Sequence, residues 1–414
     1  MAYIDELGIK ALKAKEQLIQ IDTEKKNAAL RLMAKNLLKH KEAIKKANTD
    51  DVINAKEKGT KEALTDRLIL NDARIESMAK GLMEISQFPE PIGNVLYERV
   101  LPKGMKLKKV SVPMGVIGII YESRPNVTAD AAALCFKAGS AVILRGGSEA
   151  INSNKAIVAA LKDALEEIGI NKDSIQLVED TGRDTATQMM KADNYIDLLI
   201  PRGGAGLIAS VIQNATVPVI ETGTGNCHLY IDSIFNEKFA LDITVNAKCS
   251  RPGVCNAIET LLVHKDVYKD ILPKIEEELS KYKVQLRACE QSVKVLKNAI
   301  PATEADWSEE FLDYILAVKV VNDIEEAIEH INKYGTKHSE AIVSDIEENR
   351  NKFTKNVDAA CVYTNTSTRF TDGGEFGLGA EMGISTQKLH ARGPMGANEI
   401  TTYKYIVEGD GQIR

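Results

Sequence analysis

With 414 residues, 44% hydrophobic and 27% charged, the chain has ordinary globular composition and enough length for two or three domains with large cores. A formal net charge of −6 and only 5% aromatic residues disfavour a nucleic-acid footprint, which needs a basic stripe with interleaved aromatics. No run approaches the roughly 18 apolar residues of a membrane span. The charged N-terminus lacks a signal-peptide core, and Cys135, Cys227, Cys249, Cys255, Cys289 and Cys361 fall in no CxxC or metal-ligand spacing. A reducing, cytoplasmic setting without a metal is therefore expected.

From Ile4 to about Lys80 apolar residues recur at three and four, as in Leu12, Leu18, Leu30 and Leu37, amid many Lys and Glu, which predicts a helical hairpin with a solvated face. After Pro89-Glu90-Pro91-Ile92-Gly93 the pattern alternates. Val95–Leu101 and Met105–Val112 flank Pro102-Lys103-Gly104 and predict a β-hairpin, whose lysines suit an oligomer contact better than a core. Between Gly115 and Gly225 strands are expected at 116–120, 141–144, 175–178, 196–200 and 217–220, alternating with helices at 129–137, 153–168, 185–190 and 205–214. That alternation argues a parallel, doubly wound, Rossmann-type sheet, with ligand where strand C-termini meet helix N-termini.

Two glycine-rich turns fall at such places. Arg145-Gly146-Gly147-Ser148 follows one strand, and Arg202-Gly203-Gly204 follows another and opens a helix. Each could offer backbone N–H groups and a guanidinium to a phosphate, or simply close a tight loop. Together they suggest a dinucleotide, although neither is a GxGxxG fingerprint. Asn126, after Arg124-Pro125, offers an amide for an oxyanion or caps a helix. Glu221 closes a buried strand and is catalytic or structural. Cys255, in Lys248-Cys249-Ser250-Arg251-Pro252-Gly253-Val254-Cys255-Asn256, reads as a thiol nucleophile on a loop, with Lys248, Arg251 and the Gly253-Val254 backbone able to stabilise its thiolate. An inert buried cysteine is the alternative.

Glu221 and Cys255 stand 34 residues apart. With the 95–114 hairpin, the Pro125-Asn126 turn, Arg145, Arg202 to Gly206, Glu310 and Gly396–Lys404, that separation resembles the aldehyde dehydrogenase superfamily. The resemblance spans essentially the whole chain. It is densest over 116–128, 251–260, 327–332 and 335–343, towards the branch that reduces a γ-glutamyl acyl phosphate.

The resemblance implies an α/β enzyme of that superfamily's fold. Its NADP-binding domain would hold 1–94 and 115–224, its catalytic domain 225–385, and a β-hairpin oligomerisation arm 95–114 with 386–414. The implied reaction is NADPH-dependent reduction of L-glutamyl 5-phosphate to L-glutamate 5-semialdehyde in proline biosynthesis, with phosphate released and a thioacyl intermediate on Cys255. Asn126 and the Cys255 N–H would hold the oxyanion. In hydrolytic relatives the glutamate matching Glu221 activates water; here water is excluded, or Glu221 is a thiol base or a nicotinamide contact. Arg145, Gly146, Gly147, Ser148, Arg202, Gly203, Gly204 and Glu310 would bind the dinucleotide. Ser148 stands where a ribose-binding acidic residue is common, which favours NADP. Leu312 replaces the phenylalanine that accompanies Glu310. Arg124, Arg251 and Lys248 are candidates for the product phosphate and the amino-acid head, or solvated loop cations. His330, His338 and Trp307 are expected to pack. The hairpin and terminal strand would pair across a homodimer or homotetramer, and a separate glutamate 5-kinase would supply the substrate. A non-phosphorylating NAD(P)-dependent aldehyde dehydrogenase is the alternative.

Overall fold

A computed structural model describes residues 3–60 and 62–414. The chain divides into two compact units: one holds the chain through Thr222 with Gly377–Gly383 and Met395–Arg414, the other holds Gly223–Phe376 and Ile384–Pro394.

In the first unit the expected helical hairpin is five helices: α1 (Tyr3–Leu18), α2 (Thr23–Lys39), α3 (Lys41–Glu57), α4 (Glu62–Leu68) and α5 (Asp72–Ile85). The long three-four pattern is cut by caps. Asp22 and Asn71 accept hydrogen bonds from Lys25 N and Arg74 N and so start α2 and α5. Leu30, Met33, Leu37, Ile44, Ile75 and Leu82 are fully or almost fully buried. The predicted hairpin follows as β1 (Val95–Val100) and β2 (Lys106–Pro113), antiparallel.

Next come β3 (Val116–Tyr121), α6 (Asn126–Lys137), β4 (Ala141–Arg145), α7 (Ile151–Glu167), β5 (Ile175–Leu177), α8 (Arg183–Met190), β6 (Leu198–Arg202) and α9 (Ala205–Asn214). Their strands form a parallel sheet in the order β5-β4-β3-β6. The order reverses at β3, so the C-terminal ends of β3 and β6 frame the crevice where such sheets bind ligands. The strand expected at 217–220 reduces to one parallel bridge, Leu199 to Val219. Pro218 lacks the N–H a longer ladder would use.

The second unit is built on a parallel sheet ordered β10-β9-β11-β8-β7-β12-β13. Its elements in chain order are β7 (Cys227–Ile231), α10 (Glu237–Cys249), β8 (Ile258–His264), α11 (Tyr268–Ser280), β9 (Gln285–Ala288), α12 (Glu290–Val293), β10 (Ile300–Pro301), β11 (Ile315–Val321), α13 (Ile324–Tyr334), β12 (Ser339–Val343), α14 (Glu347–Asn356) and β13 (Cys361–Thr364), with the short pair β14 (Ile384–Ser385) and β15 (Gly393–Pro394). β7 and β8 are buried at every residue, as a sheet covered on both faces requires.

The last strand, β16 (Thr401–Glu408), belongs to the first unit and corrects one expectation. It pairs antiparallel with β2 of its own chain, from Thr401 opposite Pro113 to Glu408 opposite Lys106. β1 covers only one edge of β2, and the same chain's C-terminal strand fills the other.

Candidate active site

In the second unit Cys255 lies, half-buried, on the turn between α10 and β8. Pro252 and Gly253 end the helical run, and the turn that follows is tied down along its length. Ala257 N donates to Val254 O at 3.1 Å. The buried Asn256 side chain donates to Thr371 O at 2.8 Å and accepts from Arg369, while Thr368 Oγ1 donates to Asn256 O at 2.6 Å. The Cys227 thiol donates to Cys255 O at 3.1 Å. Gly225 passes so close that a Cβ there would overlap the Cys255 carbonyl. These contacts hold the Cys255 backbone in one geometry.

Arg369 is a cation beside the Cys255 turn that sequence reasoning missed. Its half-buried guanidinium donates to Ser250 Oγ at 3.0 Å and to Asn256, and it lies within electrostatic reach of Arg251 and Cys255. Nothing in the Ser367-Thr368-Arg369-Phe370 run couples it to a cysteine more than a hundred residues earlier. Arg251, four residues before Cys255, is exposed. Lys248 is not available to an anion. Its ammonium is fully buried 2.6 Å from Glu259, whose other oxygen accepts from Leu312 N. Burial draws Lys248 down and pushes Glu259 up to about 7, and their mutual attraction opposes both shifts.

Glu310 accepts from Gly225 N at 2.6 Å, and burial raises its carboxyl. Its placement braces the glycine that frames Cys255. His338 is buried and held down to about 4, and His330, packed edge-on against Trp307 and His228, down to about 2. Both are neutral near pH 7 and pack rather than move protons. Burial pushes the Cys249 thiol up to about 11 and Cys227 well above the usual range, so neither is a reactive thiolate.

In the first unit Asn126 is the first residue of α6, exposed, and its Nδ2 donates to Asp130 Oδ2 at 3.2 Å. Arg124 precedes it, also exposed. Glu221 is half-buried just past the single bridge.

The two glycine turns differ. At the first, Arg145 Nη2 donates to Thr181 O at 2.7 Å while its Nε, and the nearby Asn154 Nδ2, are buried without a partner. A Cβ on Gly146 would overlap Asn154 Nδ2. Two orphaned donors beside a side-chain-free cradle fit the oxygens of a dinucleotide at Arg145, Gly146, Gly147 and Ser148. Glu149 is held by Ser123 N at 2.7 Å and Ser123 Oγ at 2.8 Å, with Ser123 at φ 42°.

The second turn departs from the expectation. Gly204 N already donates to Glu122 Oε2 at 2.9 Å, and a Cβ on Gly203 would overlap that carboxylate. The helix end that would capture a phosphate therefore holds an internal anion. Arg202 lies instead against Gly383 and lines a cavity with Arg124, Asn126 and Asp130.

The sequence profile described as "Aldehyde dehydrogenase family" matches residues 2–296. The chain belongs to the aldehyde dehydrogenase family. It is an oxidoreductase of that family, which works with nicotinamide dinucleotides. It is 56% identical over 414 residues to the gamma-glutamyl phosphate reductase of Clostridium beijerinckii, covering 99% of this chain and all of that one. It is 55% identical over 407 residues to the protein of that name from Listeria monocytogenes, covering 98% of each. The crystal structure of gamma-glutamyl phosphate reductase from Thermotoga maritima superposes with a TM-score of 0.98 at 48% identity over the whole of both chains. The aldehyde dehydrogenase resemblance read from the motifs, and its narrower direction, are borne out.

Proposed function

We propose that the protein reduces L-glutamyl 5-phosphate to L-glutamate 5-semialdehyde, with release of inorganic phosphate, through a thioester on Cys255. The Cys255 turn carries the reading, since a half-buried thiol on a pinned loop beside a guanidinium is built for nucleophilic attack. The full-length relatives support the substrate.

The Cys255 thiolate forms a bond to the acyl carbon, the carbon–oxygen bond to phosphate breaks, and phosphate departs. Arg369 and Arg251 are the cations for the leaving phosphate. The Asn126 amide and the Cys255 N–H are the oxyanion donors, worth roughly 3 kcal/mol each. Arg145, Gly146, Gly147 and Ser148 would hold NADPH, whose hydride would take the thioester to the aldehyde level. Cys255 then leaves as thiolate and the semialdehyde is free. Arg145 favours the 2′-phosphate of NADP, and Glu149, held by Ser123, stands next to it.

An acyl phosphate is an activated, water-labile substrate, so a kinase acting on the side-chain carboxylate of glutamate supplies it, at the start of proline biosynthesis in the cytoplasm. Among the described residues no helix is long and apolar enough to cross a membrane. The β1 and β16 edges expose Leu96, Tyr97, Val100, Tyr405 and Val407, a surface suited to a homodimer, with a tetramer as its extension.

The test is NADPH oxidation in the presence of a glutamate kinase and ATP that generate the acyl phosphate in place. Turnover should require the kinase, and protein quenched mid-reaction should carry a glutamyl adduct on Cys255. In the reverse direction the semialdehyde and NADP should need phosphate or arsenate. Turnover without either would favour hydrolysis through Glu221 and sink the proposal.

A further inference from the structure

We infer that the cavity beside Asn126 in the first unit is the seat of the substrate's amino-acid head, Asp130 and Glu381 taking its α-ammonium and Arg202 and Arg124 its α-carboxylate. The inference rests on the proposed reduction of L-glutamyl 5-phosphate. It adds the groups that recognise the head, of which the sequence offered only Arg124 as a candidate.

The cavity holds ≈ 350 Å³ between α5, the start of α6, the end of β6 and the Gly379–Met382 segment. A zwitterion carries both charges within two bonds of one carbon, and only a site with both signs in close array can match it. Asp130 is such a site's centre: it feels the attraction of Arg202 and the repulsion of Glu381. Gly383, at φ 142°, leaves room for Arg202, because a Cβ there would sit 2.7 Å from Nη1. Burial pushes the Asp130 carboxyl up to about 6, with Asn126 and Arg202 restraining the shift and Glu381 adding to it. An incoming ammonium supplies a further cation beside this group and draws it back to the charged form.

Position supports the assignment as well as charge. Asn126 and Asp130 lie one turn apart on α6, and Asn126 Nδ2 donates to Asp130 Oδ2 at 3.2 Å, so the carboxylate proposed for the ammonium adjoins the amide proposed for the oxyanion.

The experiment compares kcat/KM for three aldehydes oxidised with NADP and phosphate: glutamate 5-semialdehyde, 5-oxopentanoate, which lacks the ammonium, and 4-aminobutanal, which lacks the carboxylate. The wild-type protein should prefer the semialdehyde over either by at least about tenfold, since paired polar groups reject analogues that leave them unpaired. Asp130→Asn, which keeps an oxygen to accept from Asn126 Nδ2, should collapse the preference over 5-oxopentanoate to within about threefold. Arg202→Gln should do the same for 4-aminobutanal, which keeps the test open if one variant folds poorly. A wild-type protein without preference, or variants that lose all substrates equally or none, overturns the assignment. If the wild-type protein fails on the semialdehyde with phosphate and NADP, the proposed reduction itself falls.

Discussion

Gly225 shows how one missing side chain makes room for the Cys255 turn. Its backbone lies against the Cys255 carbonyl and its N–H is held by Glu310, so the turn cannot retreat from an added methyl. Gly225→Ala should lower turnover at least about a hundredfold and slow alkylation of Cys255, with a stability loss of about 1–3 kcal/mol in a thermal melt. Lys248 makes a contrasting case. Removing one member of a fully buried ion pair strands the other, so Lys248→Met should cost about 3–5 kcal/mol of stability. The KM for phosphate in the reverse assay should stay unchanged in that variant and rise in Arg369→Met.

Asp130 brings pH dependence to the same scale. It is faced by Asn126 on α6, by Arg202 of β6, by Glu381, and across the cavity by Lys80, Glu84 and Arg124. Its carboxyl titrates at about 6 when folded, against 3.8 ordinarily, so the folded protein binds the extra proton between those values. Falling pH through that window favours the folded state, while it removes the anion proposed for the ammonium. The kcat/KM for the semialdehyde should therefore fall below about pH 6, and Asp130→Asn should flatten that limb of the profile.

At the scale of elements, the α10-to-β8 connection and the three-stranded sheet show opposite degrees of legibility. Pro252-Gly253 and the fully buried β8 made the Cys255 turn readable, because a helix breaker followed by a buried strand is a local pattern. The β1-β2 hairpin was equally local. The pairing of β16 was not: alternation marks a strand, yet nothing in a strand's own residues names the edge it will fill. The same limit hid Arg369, whose tie to Asn256 spans 113 residues of chain. The exposed apolar residues of β1 and β16 carry the oligomer prediction. Leu96→Glu with Tyr405→Glu should shift sedimentation towards monomer, while near-ultraviolet circular dichroism of the remaining fold is retained.

Across the whole molecule, the alternation of strand and helix, the apolar strands and the Cys255 turn follow from periods of two and of 3.6 and from chain breakers, all of which act within a few residues. The doubly wound alternation and the turn that carries Cys255 were therefore legible in the chain alone, and the motif resemblance added the aldehyde dehydrogenase architecture. Only the tertiary structure decided which charges are spent and which are exposed. Glu122 fills the α9 N-terminus, Glu259 neutralises Lys248, and Arg202 turns to the Asp130 cavity, each through partners set by distance in space. Charge is long-ranged in a poorly screened interior, and no local pattern says which opposite charge folding will bring alongside.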